Sequence, residues 1–386
     1  MVGRYEHLGL SRWPFPIVPQ PDFCTFLADR KQLRQDVDDL LQQLSRRETS
    51  SIHLFWAWFG AGKTHTLFYL ANRAASLTGG EGNALHCIYS EFPKAAKGFL
   101  DLYRSLAATL DIDMLGEAYL EVCTAPDAAG LVRKIRQLSP DLASVLHVLV
   151  TGTTADQATT VRWLRADSIP VAQCRGVGAS SRIATAEDAC RTLSCIQHVL
   201  AAATKCKRQP GYRLIWVLDE YQRIEGLPKR VREEMNTSLH SLFNSCPCGL
   251  SLLLSFSGKP EPGHIPPWLT KELASRIGRT KVMVLPPLQP REAVAFVGEV
   301  LQEFRLDVGT TRDRFFPFTR EACDFIIREV ATSGQLKPRE IMSAFSAVLQ
   351  EAEPRLERRE IKEISPSVAK SILSSYVNVA ESMEES

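Results

Sequence analysis

Residues 57–64 read AWFGAGKT, and they lie between an apolar run and a helical pattern. A bound phosphate needs several backbone N–H donors close together, and glycine lets the chain curve around the anion. Gly60 and Gly62 supply that freedom, and the following helix points its positive N-terminus at the anion. Lys63 is placed to reach the β- and γ-phosphates of a nucleotide, and Thr64 to hold Mg²⁺. The stretch therefore predicts a nucleotide-binding loop.

This loop departs from the strict phosphate-loop pattern at one position. The pattern begins with glycine, whereas this sequence has Ala57, the smallest departure available. We predict that the nucleotide is bound by the loop and the start of its helix, namely Ala57, Trp58, Phe59, Gly60, Ala61, Gly62, Lys63, Thr64 and His65.

A second motif ends in two carboxylates. Residues 214–220 read LIWVLDE, a buried apolar strand that runs into Asp219 and Glu220. Ionised carboxylates at the end of a buried strand are costly unless they bind a cation or take part in chemistry. We predict that Asp219 holds the Mg²⁺ shell through water and that Glu220 orients or deprotonates an attacking water. The alternative is a structural strand that ends in a solvated acidic turn.

The spacing of the two motifs predicts an insertion. Thr64 and Asp219 are separated by far more than the roughly 30 residues of one βαβ unit. Residues 112–205 therefore hold extra helices, except that 151–182, rich in Thr, Ser, Gly and Ala, predicts a loop around one short helix near Trp163. Such an insertion is suited to bind a partner or to form a lid, or it is an inert elaboration.

The chain as a whole alternates strands with helices and then becomes entirely helical. Alternation of this kind predicts an α/β fold with a parallel sheet covered on both faces. The predicted strands are 52–59, 84–89, 214–218, 250–256 and 281–285, and the later predicted helices are 290–304, 319–331, 337–352 and 365–376. The predicted organisation is an extended arm at 1–22, an α/β core at 23–288 and a helical lid at 289–386.

Composition excludes some classes of protein. Of 386 residues, 45% are apolar and 23% charged, which excludes global disorder. The net charge of +2 neither requires nor excludes a nucleic-acid partner. Ten cysteines without a CxxC pair argue against zinc, and we expect reduced thiols in a cytoplasmic protein, with a redox role for the Cys-Pro-Cys at 246–248 as the alternative. No secretion signal or membrane span is expected.

The two motifs together resemble those of AAA+ ATPases, particularly the origin-recognition-like branch, which also includes transposition ATPases and ATP-binding proteins of antiviral loci. AWFGAGKT resembles the Walker A loop and LIWVLDE the Walker B strand. Residues 26–33, FLADRKQL, resemble the segment that opens the module and helps to frame the adenine. The resemblance implies a parallel-sheet P-loop core with a C-terminal helical lid, and ATP and Mg²⁺ as ligands.

The resemblance also implies further site residues. Ser257, or else Ser255, falls where the family carries its sensor-1 residue, and LASRIGRTKVMVLPPL at 273–288 resembles the stretch with the arginine finger, for which Arg276 and then Arg279 are the candidates. GQLKPREIM at 334–342 resembles the start of the lid helix with a sensor-2 arginine, here Arg339. The expected catalytic set is therefore Glu220, Lys63, Ser257, Arg276, Arg279 and Arg339.

These features predict an ATPase (ATP and water to ADP and phosphate) that drives a conformational or oligomeric switch in a DNA transaction such as antiviral defence or mobile-element control. We expect a homo-oligomer, a protein partner at the 112–205 insertion and nonspecific contact with double-stranded DNA through basic residues after Walker B, namely Arg223, Lys229, Arg230 and Arg232. The alternative interpretation is that these basic residues only form an exposed helix face. The alternative function is an ATP-gated scaffold that recruits a protein effector without DNA, and a third is a structural protein that binds ATP and hydrolyses little.

Overall fold

The computed structural model describes residues 4–19, 21–77, 85–206, 213–259, 266, 268–277, 282–306 and 313–374. The strands are β1 (Ser51–Ala57), β2 (Leu85–Glu91), β3 (Arg213–Asp219), β4 (Leu250–Ser257) and β5 (Val282–Leu285). The helices are α1 (Lys31–Arg46), α2 (Lys63–Ser76), α3 (Phe99–Thr109), α4 (Ile112–Thr124), α5 (Ala128–Leu138), α6 (Pro140–Thr151), α7 (Thr154–Leu164), α8 (Val171–Gly176), α9 (Ala186–Cys206), α10 (Lys229–Ser245), α11 (Lys271–Ile277), α12 (Pro290–Glu303), α13 (Arg320–Ser333) and α14 (Pro338–Glu357). Within this described part, no helix combines the length and the apolar character needed to cross a membrane.

The five strands form one sheet in the order β2, β3, β4, β1, β5. β3 pairs in parallel with both β2 and β4, and β4 pairs in parallel with β1. Every residue of β1 and of β3 is buried, which explains why both read as continuous apolar runs rather than as alternating ones. Because the strands are parallel, their carboxyl ends meet at one edge, where Ala57 pairs with Ser257 and Glu91 with Asp219.

The chain divides into two compact units. The helical unit comprises Met1–Asp36, Trp58–Tyr69 and Leu285–Ser386, and the sheet unit comprises Val37–Ala57 and Leu70–Val284. This division differs from the predicted boundaries, which placed the nucleotide-binding loop with the sheet and the first 22 residues by themselves. The loop instead falls in the same compact unit as the C-terminal helices.

In the helical unit, the N-terminal segment is part of the core and not an extended arm. Leu8, Leu10 and Phe15 are buried in one apolar cluster with residues of α12, α13 and α14. The Phe15 ring centroid lies 5.5 Å from that of Phe345 and 6.1 Å from that of Phe318. The apolar and aromatic side chains between the prolines thus pack into the core of the helical unit. The prolines do not prevent this packing.

In the sheet unit, six helices, α4 to α9, occupy the insertion between β2 and β3. α4 packs on α5, α6 and α9, and α9 also contacts α10 and β3. Buried residues of these helices belong to the same apolar cluster as buried residues of the sheet. The insertion is therefore continuous with the core of the sheet unit.

The prediction for 151–182 was correct for the one short helix near Trp163, which is α7, and wrong for the rest of the loop, because the segment also contains α8. Thr153 and Asp156 form a reciprocal capping box that starts α7, and its caps offset the modest helix propensity of threonine. Trp163 is buried and its indole N–H donates to the Ser181 carbonyl at 2.7 Å. Local capping and a buried aromatic side chain thus order a segment whose composition suggested a loop.

Candidate functional site

The predicted nucleotide-binding segment begins at Ala57, the last residue of β1, and ends at His65 in the first turn of α2. Gly60 and Gly62 have backbone φ values of +79° and +91°, a region that residues with a Cβ atom rarely adopt. The Ala61 amide donates to the Trp58 carbonyl at 3.1 Å, which closes the turn. The sequence rule that placed glycines here for a tight turn thus matches the backbone that the loop adopts.

The predicted phosphate ligand Lys63 and the predicted Mg²⁺ ligand Thr64 lie in the first turn of α2. The Lys63 side chain is 5% exposed, and Thr64 is half-buried. α2 has 14 residues, so the partial positive charge at its N-terminus is that of a full helix. An anion at this helix start would meet the N–H groups of the first helical turn and a lysine ammonium group.

The start of α14 contacts the loop within the helical unit. The Arg339 amide donates to the Gly60 carbonyl at 3.1 Å, and a Cβ added at Gly60 would lie 3.2 Å from the Arg339 Cβ. The Lys337 ammonium lies 5.9 Å from the Trp58 ring centroid, within the range of a cation–π contact. The structure therefore brings Arg339 to the loop, and it adds Lys337, which the sequence argument had not selected.

His65 follows Thr64, and both of its ring nitrogens contact protein atoms. Nε2 lies 2.7 Å from the Phe26 carbonyl, and Nδ1 lies 3.3 Å from the Cys24 Sγ. Burial lowers the pKa of His65, and the hydrogen bond to Phe26 offsets part of this effect. His65 therefore anchors the segment before α1 to α2 as a neutral imidazole.

In the sheet unit, the end of β3 carries a buried carboxylate. Asp219 is 1% exposed and accepts three hydrogen bonds. The Ser255 hydroxyl and the Glu220 amide donate to Oδ1 at 2.8 Å and 2.7 Å, and the Tyr89 hydroxyl donates to Oδ2 at 3.0 Å. Burial raises the pKa of Tyr89, and the neighbouring charge of Asp219 raises it further. Three donors of this kind stabilise an ionised carboxylate in a buried position.

Glu220 has an unusual backbone and a set of polar neighbours. Its φ and ψ are +58° and +30°, the left-handed region. The Gln222 Nε2 donates to Glu220 Oε2 at 2.8 Å, and the Ser257 Oγ lies 3.5 Å from Oε1. The Arg223 Nη2 lies 3.6 Å from Oε2. The two candidate sensor serines thus contact different carboxylates, Ser255 that of Asp219 and Ser257 that of Glu220.

Two residues of this acidic site were missed. Tyr89 belongs to a strand that the sequence predicts, but its contact with Asp219 depends on β2 lying next to β3. Gln222 is two residues beyond Glu220, and its proximity in the sequence is a signal that could have selected it. Neither contact follows from a motif.

The candidate arginine fingers are only partly described. Arg276 is exposed on α11, and its Nη2 donates to the Asn244 Oδ1 at 3.2 Å. Arg279 lies outside the described residues. Of the basic residues after Walker B, Arg223 pairs with Glu91 at 2.5 Å, and Lys229 pairs with Glu233 at 3.8 Å.

Comparisons with known proteins bear on the fold. No protein-family model and no curated protein matches the sequence. The ORC2 protein of Aeropyrum pernix in its ADP form matches with 14% identity and a TM-score of 0.50, over 90% of this chain and 69% of that chain. The chain has an origin-recognition-like AAA+ P-loop ATPase fold. The ORC1 protein of Aeropyrum pernix in complex with DNA (15% identity, TM-score 0.49, 95% of this chain and 69% of that one) and domain III of the Thermotoga maritima replication initiation protein DnaA (13%, 0.43, 93% and 98%) are further matches.

The AAA+ fold confirms two predictions made from the sequence. The resemblance to AAA+ proteins and the α/β class with a parallel sheet and C-terminal helices are both correct. At 14% identity, the match with ORC2 supports a shared fold and nothing about function. Activity, ligands and residue roles therefore have to be argued from the site.

Proposed function

We propose that this chain is a Mg²⁺-dependent ATPase. The observation that carries the proposal is the end of β3, where Asp219 is almost fully buried, accepts three hydrogen bonds and is followed by Glu220. A structural strand rarely ends in a buried carboxyl group, because burial of a group that ionises is costly. Its occurrence in a chain that also carries AWFGAGKT supports nucleotide hydrolysis over a solvated acidic turn.

The phosphate loop supplies the groups that bind a triphosphate. The N-terminus of α2 attracts its negative charge, and Lys63 contacts the β- and γ-phosphates. Thr64 and Asp219 would hold Mg²⁺. Two protein ligands are enough for this metal, because Mg²⁺ usually binds few protein oxygens and keeps several waters. When bound, Mg²⁺ neutralises charge that develops on the phosphate oxygens.

Glu220 acts on the water. It orients a water molecule and accepts one of its protons as the water oxygen attacks the γ-phosphorus. The bond from that phosphorus to the oxygen that bridges the β- and γ-phosphates breaks, and ADP leaves with the bonding electron pair. Ser257, in contact with Glu220, is the preferred sensor of the γ-phosphate, since Ser255 is committed to Asp219.

Arginines complete the proposed site. Arg339 senses the nucleotide from the start of α14, in agreement with its backbone contact to Gly60. Arg276, or Arg279, acts as an arginine finger on the nucleotide of a neighbouring copy, which makes the active species a homo-oligomer. ATP binding then favours the assembled state, and hydrolysis releases it.

The proposed setting is a DNA transaction in the cytoplasm, with antiviral defence or mobile-element control as the specific hypotheses. It is supported by Lys229 and Arg230, which are exposed at the start of α10. Arg223 is a weaker candidate for a DNA contact than the sequence suggested, because it already pairs with Glu91. Contact with DNA through such side chains would be nonspecific and sensitive to salt.

The second candidate function is an ATP-gated scaffold for a protein effector. It is favoured by the insertion, whose six helices share a continuous core with the sheet and add outer surface to which a partner could bind. In this case nucleotide state would be read by a protein, and DNA would play no part.

The two candidates differ in their response to DNA. We would measure ATP hydrolysis by the purified full chain with and without random-sequence double-stranded DNA, at low and at physiological salt. Turnover that DNA stimulates at low salt, and less at physiological salt, supports the DNA transaction. Turnover that is unchanged by DNA at both salt concentrations supports the scaffold and rejects direct DNA engagement.

A further inference from the structure

Gln222 links Glu220 to the end of β4. Its Nε2 donates to Glu220 Oε2 at 2.8 Å, and its Oε1 accepts the Ser257 amide N–H at 2.9 Å. A backbone N–H can only donate, so this bond fixes which end of the Gln222 amide is the oxygen. The NH₂ group must then face the carboxylate, and the bridge has a single orientation.

Arg223 also lies beside the Glu220 carboxylate, and it is held there by residues at the end of β2. Its Nη1 donates to the Phe92 carbonyl at 2.6 Å, and its Nη2 lies 2.5 Å from Glu91 Oε1. These two partners hold the guanidinium so that its Nη2 stays 3.6 Å from Glu220 Oε2. Oε2 is therefore the anchored oxygen of Glu220, between Gln222, which is bonded to the end of β4, and Arg223, which is bonded to the end of β2.

The backbone of Glu220 makes this anchoring necessary. A residue with a Cβ atom seldom adopts a φ of +58°, and such residues keep that conformation only where their surroundings determine it. The Glu220 amide is held by Asp219 Oδ1 at 2.7 Å, and its side chain is held by Gln222. The carboxylate is thus directed by two contacts that are independent of any bound ligand.

We propose that Gln222 is a positioning residue for Glu220. It holds the carboxylate in the orientation that hydrolysis requires, and it couples that orientation to Ser257 at the end of β4. A shift of the Ser257 backbone, of the kind that contact with a γ-phosphate would cause, moves the Gln222 amide and with it Glu220. This inference rests on the proposed ATPase function, because it assigns to Gln222 a role in the reaction that Glu220 carries out.

Two substitutions separate a positioning role from a structural one. Gln222→Met removes both hydrogen bonds. Gln222→Glu keeps an acceptor for the Ser257 N–H, but it removes the donor to Glu220 and places a second negative charge beside it. If Gln222 only supported the fold, the variants would lose nucleotide affinity and stability together with kcat. If Gln222 positions Glu220, kcat falls while nucleotide affinity is kept.

The experiment measures kcat, KM and the affinity for a fluorescent ATP analogue in the full chain. We expect kcat to fall by about tenfold or more in both variants, with Gln222→Glu at or below Gln222→Met, since hydrogen bonds to charged groups are the stronger ones. The nucleotide affinity should stay within about twofold of the wild type, because Gln222 acts on the chemical step. The matched controls Gln137→Met and Gln137→Glu, at an exposed position on α5, should leave kcat unchanged.

The possible failures are distinguishable. If the wild type hydrolyses ATP, Glu220→Gln does not, and either Gln222 variant retains wild-type kcat or Gln222→Glu exceeds Gln222→Met, the positioning role is overturned and the ATPase function stands. If the wild type binds ATP but does not hydrolyse it, the proposed function is overturned together with the inference.

Discussion

Gly60 is the residue at which the phosphate loop depends most on the absence of a side chain. Its φ of +79° is costly for other residues, and a Cβ atom would lie 3.2 Å from the Arg339 Cβ. We predict that Gly60→Ala lowers the free energy of unfolding by about 1–2 kcal/mol, the cost of a left-handed conformation for an L-residue. The same change should weaken ATP binding, because the loop backbone is what surrounds the phosphates.

Gly130 provides the matched control for this prediction. It lies inside α5, it is exposed, and a Cβ added there meets nothing within 4 Å. Gly130→Ala should stabilise the chain by about 0.4–1 kcal/mol, because alanine has fewer unfolded conformations to lose. Urea unfolding and titration with a fluorescent ATP analogue measure both effects. Equal stability changes in the two variants would contradict the assignment of strain to Gly60.

His65 makes stability depend on pH. Burial places its folded-state pKa below the ordinary value of 6.5, so in the window beneath 6.5 the unfolded chain binds a proton that the folded chain does not. The stabilisation is therefore complete above pH 6.5 and is lost as the pH falls towards the folded-state pKa. We predict that the free energy of unfolding decreases from pH 7 to pH 5, and that His65→Gln makes this decrease shallower.

Two other histidines are needed to interpret the His65 experiment, one as a second contributor and one as a control. Burial also lowers the pKa of His86, so part of the decrease should remain in the His65 variant. The control is His147→Gln, which replaces an exposed histidine on α6 and should leave the dependence as in the wild type. A His65→Gln profile that coincides with the wild type would show that the imidazole is not held neutral by burial.

At the scale of elements, the N-terminal segment tests how the helical unit is built. Phe15 is 1% exposed and packs against Phe318 and Phe345. We predict that Phe15→Ala lowers the free energy of unfolding by about 3–5 kcal/mol, the usual cost of removing a buried phenylalanine ring. Urea unfolding followed by circular dichroism measures the change.

The neighbouring Val18 is the control for Phe15. It is 69% exposed, and Val18→Ala should change stability by less than about 0.5 kcal/mol, as most surface substitutions do. If Phe15→Ala were as mild as Val18→Ala, the segment would behave as the separate extended arm that the sequence predicted, and its place in the core would be wrong.

The elements that sequence predicts well are those that bury their side chains on both faces. β1 and β3 were predicted to within two residues of their ends, because a strand between two helical layers is apolar at nearly every position. α8 was missed and α7 was predicted only as a short helix near Trp163, since the order of this segment comes from a capping box and from buried side chains such as Trp163. Packing partners of this kind are distant in the sequence or depend on the fold.

The candidate site shows the same division. Asp219, Glu220, Lys63 and Thr64 were selected from two motifs in which residue type and spacing carry the chemistry. Tyr89 and Lys337 could not be selected in this way, because each reaches its contact through a different strand or helix. Motifs thus predicted the reacting groups, and the fold was needed for the groups that hold them.

For the molecule as a whole, the main proposal is that the chain hydrolyses ATP through Glu220. Glu220→Gln keeps the size of the side chain and removes its ability to accept a proton, so the variant should still bind ATP. We would measure phosphate release from ATP by the wild type and by Glu220→Gln, each with Mg²⁺ and with EDTA, beside nucleotide affinity. The account predicts Mg²⁺-dependent release by the wild type, a loss of at least about 100-fold in Glu220→Gln, and ATP affinity within about threefold. Equal phosphate release by the two proteins, or ATP binding by the wild type with no release, would contradict it.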